Sequence, residues 1–329
     1  MSIRNRQVAG VRERAGMGRD CLSHEQLSGI QRTRLLTAMA QVCAEHGAAN
    51  VTVAHIVERA GVSRRTFYEL FSDREACFLA CLDDGFARIA ARVVPAYEQS
   101  GEWQERVRAS LIELLSFVDG DPVMGRFVIV ETLGGGCEAL RRRERVLGIV
   151  IDAIDEGRLE AKADSMPTRL TAEGVVGGVL SVLHGRLLAR EWDSFLELLN
   201  PLMSMLVLPY FGSAAARREL SRPVPRAKPH SAPGGGSSPL KRLDMRLTYR
   251  TVRALMAVAE NPGSSNRMVG MGAGILDQGQ TSKLLSRLEK LSLISNDGLA
   301  PGRGAPSAWR LTEKGKEVHD ALAGQITDL

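Results

Sequence analysis

The sequence predicts a mainly α-helical protein that ends in a small α+β domain. Three observations lead there. Aromatic residues make up only 5% of the 329 residues, while hydrophobic residues at 44% and charged residues at 25% keep an ordinary globular balance. Apolar residues recur at helical spacing almost without interruption from Gln26 to Phe211. Beyond a stretch rich in Pro, Gly and Ser, residues 241–329 follow the order helix, helix, helix, strand, loop, strand, helix. The length suits two or three domains with real hydrophobic cores.

The charge is partitioned. Residues 1–74 carry 11 Lys+Arg against 7 Asp+Glu, residues 75–213 carry 14 against 21, and residues 214–329 carry 18 against 10. Basic ends suit a polyanion such as DNA, and an acidic middle does not. No apolar run approaches the roughly 18 residues that span a bilayer, so no membrane association is expected. No apolar stretch follows Met1-Ser2-Ile3-Arg4-Asn5-Arg6, so no signal peptide is expected. The five cysteines (Cys21, Cys43, Cys77, Cys81, Cys137) are odd in number and scattered, which points to the cytoplasm. Cys77 and Cys81 lie one helical turn apart with no second pair or nearby His, so they are expected to be structural thiols and no metal site is expected.

Element by element, residues 1–24 hold Arg4, Arg6, Arg12, Arg14 and Arg19 with little apolar pattern, a disordered basic arm. Residues 25–74 form the first domain. Leu35, Leu36, Met39, Ala40, Val42 and Cys43 make a helical stripe that stops at Gly47. Thr52 is a good N-cap for a short helix carrying Val53, Ile56, Val57 and Ala60. Gly61-Val62-Ser63 then supplies a turn glycine, an apolar plug and a second N-cap. The next helix has Phe67, Leu70 and Phe71 on one face and Arg64, Arg65, Thr66, Tyr68 and Glu69 on the other. Ser72-Asp73-Arg74-Glu75 reads as a capping box that opens a long helix. Two short helices joined by a glycine turn are a helix-turn-helix, and a second helix that is polar outside fits a major groove.

The run Thr52–Phe78, TVAHIVERAGVSRRTFYELFSDREACF, resembles the DNA-binding segment of the TetR/AcrR family of bacterial repressors. The resemblance covers about 50 residues. It implies phosphate contacts by Thr52, Tyr68 and Arg74, and base or phosphate contacts by Ser63, Arg64, Arg65 and Thr66. Arg74 stands where the family commonly has Lys. Glu69 departs from a cationic reading face. It either faces a cytosine amino group or pairs with Arg65 one turn earlier.

Residues 75–213 read as helices at about 73–94, 101–118, 121–133, 138–156, 168–190 and 192–211, punctuated by Pro95, Gly120-Asp121-Pro122, Gly134-Gly135-Gly136, Gly157 and Pro167. The triple glycine lacks the dinucleotide fingerprint, so it is a helix break and no cofactor is expected. Arg141-Arg142-Arg143 is read as a solvated helix start near Glu138 and Glu144. The resemblance implies a helical ligand-sensing and dimerisation domain here, with 168–211 forming a homodimer bundle. Gly174, Gly177, Gly178 and Gly185 are tolerable there if a partner helix comes close. Trp103, Phe117, Met124, Phe127 and Glu131 are candidates, by residue type, for the pocket of an unknown small-molecule effector.

Residues 214–240 read as a linker containing Pro223, Pro225, Pro229, Pro233, Pro239 and the run Gly234–Ser238. In 241–329, a helix through Leu247–Ala259 is followed by a short one near Ser265–Met271 and a third at Gln278–Leu291. Strands at Leu293–Asn296 and Ala308–Leu311 bracket a loop, and Thr312 caps a final helix at 313–323. This order resembles MarR-type winged-helix domains. That resemblance makes Gln280, Thr281, Lys283 and Arg287 candidate DNA contacts and Arg303 a wing-tip arginine. Gly270, Gly272, Gly274 and Gly279 are departures that leave open whether this domain binds DNA or protein.

Six scattered histidines and the absence of a P-loop, nucleophile elbow or HExxH motif point away from an enzyme, and no catalytic residue is expected. The expected function is a homodimeric, ligand-responsive transcriptional repressor on a near-palindromic operator in double-stranded DNA. The alternative is a nucleoid or adaptor DNA-binding protein whose winged helix contacts other proteins.

Overall fold

Helix formation begins earlier than the apolar stripe at Leu35, because α1 runs His24–His46. The computed structural model describes residues 24–99, 101–161, 167–189, 194–225, 249–275, 277–298 and 307–327. The basic arm, Arg303 and most of the expected linker lie outside the described residues. The chain divides into two units.

In the first unit, Gly47 (φ 76°) ends α1 and leads into a 3-10 turn at Ala48–Asn50. Then come α2 (Val53–Ala60), α3 (Arg64–Leu70) and α4 (Arg74–Tyr97). The N-cap of α4 is Asp73, one residue later than the capping box places it. Its carboxylate accepts the Ala76 N–H at 2.7 Å. Pro95 does not stop α4, because it sits in the last turn, where only one upstream carbonyl loses its partner. Next are α5 (Trp103–Gly120), α6 (Pro122–Ile129), a 3-10 turn at Glu131–Gly134, α7 (Cys137–Asp155), α8 (Gly157–Glu160) and α9 (Arg169–Ala189). The helix expected over 121–133 is therefore shorter, and tightens into 3-10 geometry before the triple glycine.

A 3-10 turn at Phe195–Leu198 leads into α10 (Leu199–Leu220). α10 kinks at Gly212 (φ 77°) and continues to Leu220. The stretch from 214 is thus helical where composition indicated linker. Arg108 explains this. Its guanidinium, 5% exposed, donates to Glu219 at 2.8 Å, to Asn200 at 2.8 Å and to the Pro223 carbonyl at 3.2 Å. Arg222 closes the cluster on Glu105 and Glu219. One continuous apolar core runs from Leu35 in α1 to Ala215 beyond the kink, so α1–α4 and the later helices share it. α9 and the Phe195–Leu220 stretch are each long and apolar enough to cross a membrane by length and composition, contrary to the sequence reading.

The second unit contains α11 (Tyr249–Glu260), α12 (Asn266–Gly272), α13 (Gln278–Lys290), β1 (Ile294–Asn296), β2 (Trp309–Leu311) and the start of α14 (Glu313–Thr327). β1 and β2 pair antiparallel, with Ile294 opposite Leu311 and Asn296 opposite Trp309. The Trp309 indole N–H donates to Asn266 at 2.6 Å, tying the hairpin to α12. A methyl group at Gly272 would lie 2.7 Å from Cβ of Ala257, and one at Gly270 would lie 2.9 Å from Oγ1 of Thr281. These glycines are the contact points of α12 with α11 and α13.

Candidate nucleic-acid interface

The side chain of Thr52 caps α2 by accepting the His55 N–H at 3.3 Å. Gly61 takes a left-handed conformation (φ 64°), and its N–H closes the end of α2 on Glu58 and Val57. Arg34 donates from Nε to the Ala60 carbonyl at 2.9 Å, fixing α1 against the same helix end. Ser63 caps α3 by accepting the Thr66 N–H at 3.0 Å, and its hydroxyl also meets the Thr66 hydroxyl at 2.8 Å. Phe67 is fully buried and Phe71 nearly so, which presses one side of α3 into the core. The opposite side is left to Arg64, Arg65, Tyr68 and Glu69, all exposed.

These residues differ in how free they are. Arg64 has no hydrogen-bond or ion-pair partner among the described residues. Tyr68 is 57% exposed and rests edge-on against Phe67, which aims its hydroxyl outward. Arg65 pairs with Glu69 at 2.8 Å, the local alternative left open by the sequence. Ser63 and Thr66 spend their hydroxyls on each other and on the cap. Arg74 is half-buried and donates to the carbonyls of Ala48 at 2.8 Å and Val51 at 3.3 Å, bracing the turn before α2. Behind that turn, Arg59 donates to Glu45 and holds its carboxyl below the ordinary carboxylate range.

One further element was not legible in sequence. Glu131, buried, accepts the Ala48 N–H at 3.0 Å and the Arg126 Nε–H at 3.2 Å. Arg126 also donates to the Leu187 carbonyl of α9 at 3.0 Å. The contact joins residues 83 positions apart, so no local signal could have revealed it. The other effector-pocket candidates, Trp103, Phe117, Met124 and Phe127, are buried in the core. The Trp103 indole donates to Ala153 at 2.9 Å, and Phe127 packs on Phe78.

On the second unit, the outer side of α13 presents Lys283, Arg287 and Lys290, all exposed. Thr281 does not join them. It is 2% exposed, and its hydroxyl donates to the Asp277 carbonyl at 3.0 Å, because the wheel of α13 turns it toward Gly270. Gln280 is exposed but accepts from Arg250 at 3.0 Å.

Residues 35–81 match the family described as bacterial regulatory proteins, tetR family. Among curated proteins, the chain is 25% identical over 113 residues to the nucleoid occlusion factor SlmA of Marinomonas sp. (strain MWYL1), covering 34% of this chain and 57% of that protein. The chain thus spans little more than half the length of that relative. Among solved structures, the fatty acid degradation regulator FadR from Bacillus halodurans aligns over 53% of this chain and 97% of its own, at 18% identity and a TM-score of 0.48. A TetR family transcription regulator from Marinobacter aquaeolei VT8 aligns over 55% and 96%, at 20% identity and a TM-score of 0.46. The matched segment is a tetR-type helix-turn-helix, the DNA-binding element of a class of bacterial transcription regulators.

Proposed function

We propose that the chain is a sequence-specific DNA-binding transcription regulator, a ligand-responsive repressor that acts in the cytoplasm as a homodimer. The observation that carries this reading is α3, a seven-residue helix clamped by Ser63 and Phe67, with Arg64 and Tyr68 presented outward. A short helix so held enters a major groove with its N-terminal residues on base edges. Thr52, Ser63 and Thr66 lie at the starts of α2 and α3, where the family resemblance implies contacts with the DNA backbone. Arg74 holds the turn that positions Thr52 through its Nη1 and keeps the rest of its guanidinium for a phosphate.

The homodimer forms through 168–211, and the apolar surplus of α9 and α10 that would otherwise suit a membrane is buried against the second copy. The unit from Tyr249 is a winged helix that adds a second DNA contact through Lys283, Arg287 and the wing residue Arg303. An alternative use of that unit, contact with a partner protein, goes with a nucleoid-binding or adaptor role. The similarity to a protein named as a nucleoid occlusion factor favours keeping that alternative.

Selection of bound duplexes from a randomised pool tests the main reading. Convergence on a near-palindromic sequence, lost in Arg64→Ala, supports it. Equal affinity for all duplexes supports the nucleoid alternative.

A further inference from the structure

The geometry points to a binding site for a small amphipathic anion in the groove between α7 and α9, with Arg143 as its anchor. This deepens the ligand-responsive reading and rests on it. The groove holds about 350 Å³, the low end of the range of about 300–1,000 Å³ for small-molecule sites. Its walls are apolar where Ile129, Leu133, Leu147 and Leu180 line it, and its polar groups include Arg143 and His184.

Charge selects the occupant. Arg143 is half-buried, and neither it nor His184 has a hydrogen-bond or ion-pair partner among the described residues. A partly buried guanidinium without an acceptor is unfavourable, and a carboxylate satisfies it with two charge-assisted bonds. Glu173 also lines the groove, and Arg169, 3.7 Å from it, is held first by Asp152. An apolar body along Leu147 and Leu180 with an acid at Arg143 fits this lining.

The groove is wired to the DNA-binding helices. Ile129 and Leu133 stand two residues to either side of Glu131, whose carboxylate holds the Ala48 N–H ahead of α2. The opposite wall is α9, whose Leu187 carbonyl is held by Arg126, the other partner of Glu131. An occupant that spreads the walls thus moves both supports of one carboxylate. Binding at the groove and binding of DNA then influence each other by the same factor.

Octanoate is the probe and octylamine its cationic control, titrated calorimetrically into the full chain, with a duplex selected from a random pool as the DNA. Octanoate should bind and octylamine should bind far more weakly. Arg143→Ala should weaken octanoate by about tenfold or more, the usual scale of a charge-assisted contact. Gly177→Leu, which fills open space in the groove, should do the same. Saturating octanoate should weaken DNA binding, and Glu131→Gln should still bind octanoate but lose that response. Equal binding of octanoate and octylamine, or full affinity in Arg143→Ala, overturns the site. So does a change of association state in both variants with octanoate affinity intact, which would mean that a second copy covers the groove. Octanoate binding without any selected duplex would sink the regulator reading and leave the groove standing. A selected duplex without octanoate binding would do the reverse.

Discussion

Arg64 and Arg65 are adjacent, but only one is committed to a neighbour. Arg64→Ala removes an unpaired cation from the outer face of α3 and should weaken binding of the selected duplex by about 1–3 kcal/mol. Arg65 already holds Glu69, so Arg65→Ala should have the smaller effect, and gel-shift titration ranks the two. Arg74 behaves differently from both. The family resemblance implies a phosphate contact for it, and its Nη1, which meets two backbone carbonyls, makes it a brace as well. Arg74→Ala should lower the thermal midpoint and weaken specific and random duplexes together; an unchanged midpoint would return Arg74 to the phosphate. Thr52, Gly61 and Ser63 were legible because capping and turn chemistry is local. The brace by Arg74, the clamp by Glu131 and the inward turn of Thr281 were not, because each depends on a partner from another element. The buried thiols make a separate prediction. Burial pushes Cys43 and Cys77 up to about 12 and Cys81 well above its ordinary 9.0. In the unfolded chain these thiols ionise near 9, so the stability they contribute is present below that pH and is lost as pH rises from there toward 12. Among the four described cysteines, only the exposed Cys137 should react rapidly with iodoacetamide at pH 8, as peptide mass spectrometry would show.

At the scale of elements, glycines that look alike in sequence have opposite consequences. Gly174, Gly177 and Gly185 of α9 face open space within the chain, whereas Gly270 and Gly272 of α12 meet neighbouring helices. Gly272→Ala would drive a methyl into Ala257 and should destabilise the second unit by about 1–3 kcal/mol, the usual scale of overpacking. Chemical denaturation followed at Trp309 reads that loss. Gly185→Leu meets nothing inside its own copy, so any loss of association reports the second copy directly. Sedimentation should show a weaker dimer with an unchanged helical spectrum, and an unaltered dimer would place the interface elsewhere. The end of α1 and both ends of α2 and α3 were readable to within a residue or two because caps and turn glycines mark them, whereas the start of α1 at His24 was not. The continuation of α10 past Gly212 was not. Its support is Arg108, 111 residues upstream of Glu219, and composition at 214–225 argued for linker instead.

For the whole molecule, the segment beyond the kink decides where the chain can be divided. Ending the chain near Ser213 removes Glu219 and the Pro223 carbonyl and leaves Arg108 buried with Asn200 alone of its three partners, a loss on the order of 3–5 kcal/mol for a broken buried pair. Ending it at Pro225 keeps the cluster whole. The longer fragment should keep a cooperative melt and bind the selected duplex, while the shorter one should melt lower. If the two melt alike, the cluster contributes nothing. Loss of affinity and footprint length in the longer fragment, relative to the full chain, would then belong to the unit from Tyr249 alone.

The same cluster has a mechanical consequence. Residues 226–248 connect the helical body to the unit from Tyr249, and the described part of that body ends at Pro225, two residues beyond Pro223. Its carbonyl is bonded to Arg108, which grows from α5. A pull on Pro223 is therefore also a pull on Arg108 of α5, and the end of α10 is held as well by Asn200, which donates to the Leu220 and Arg222 carbonyls. A helix end anchored this way resists before it yields. In single-molecule stretching, the chain should show a distinct first force peak that disappears in Arg108→Met, with the remaining peaks unchanged.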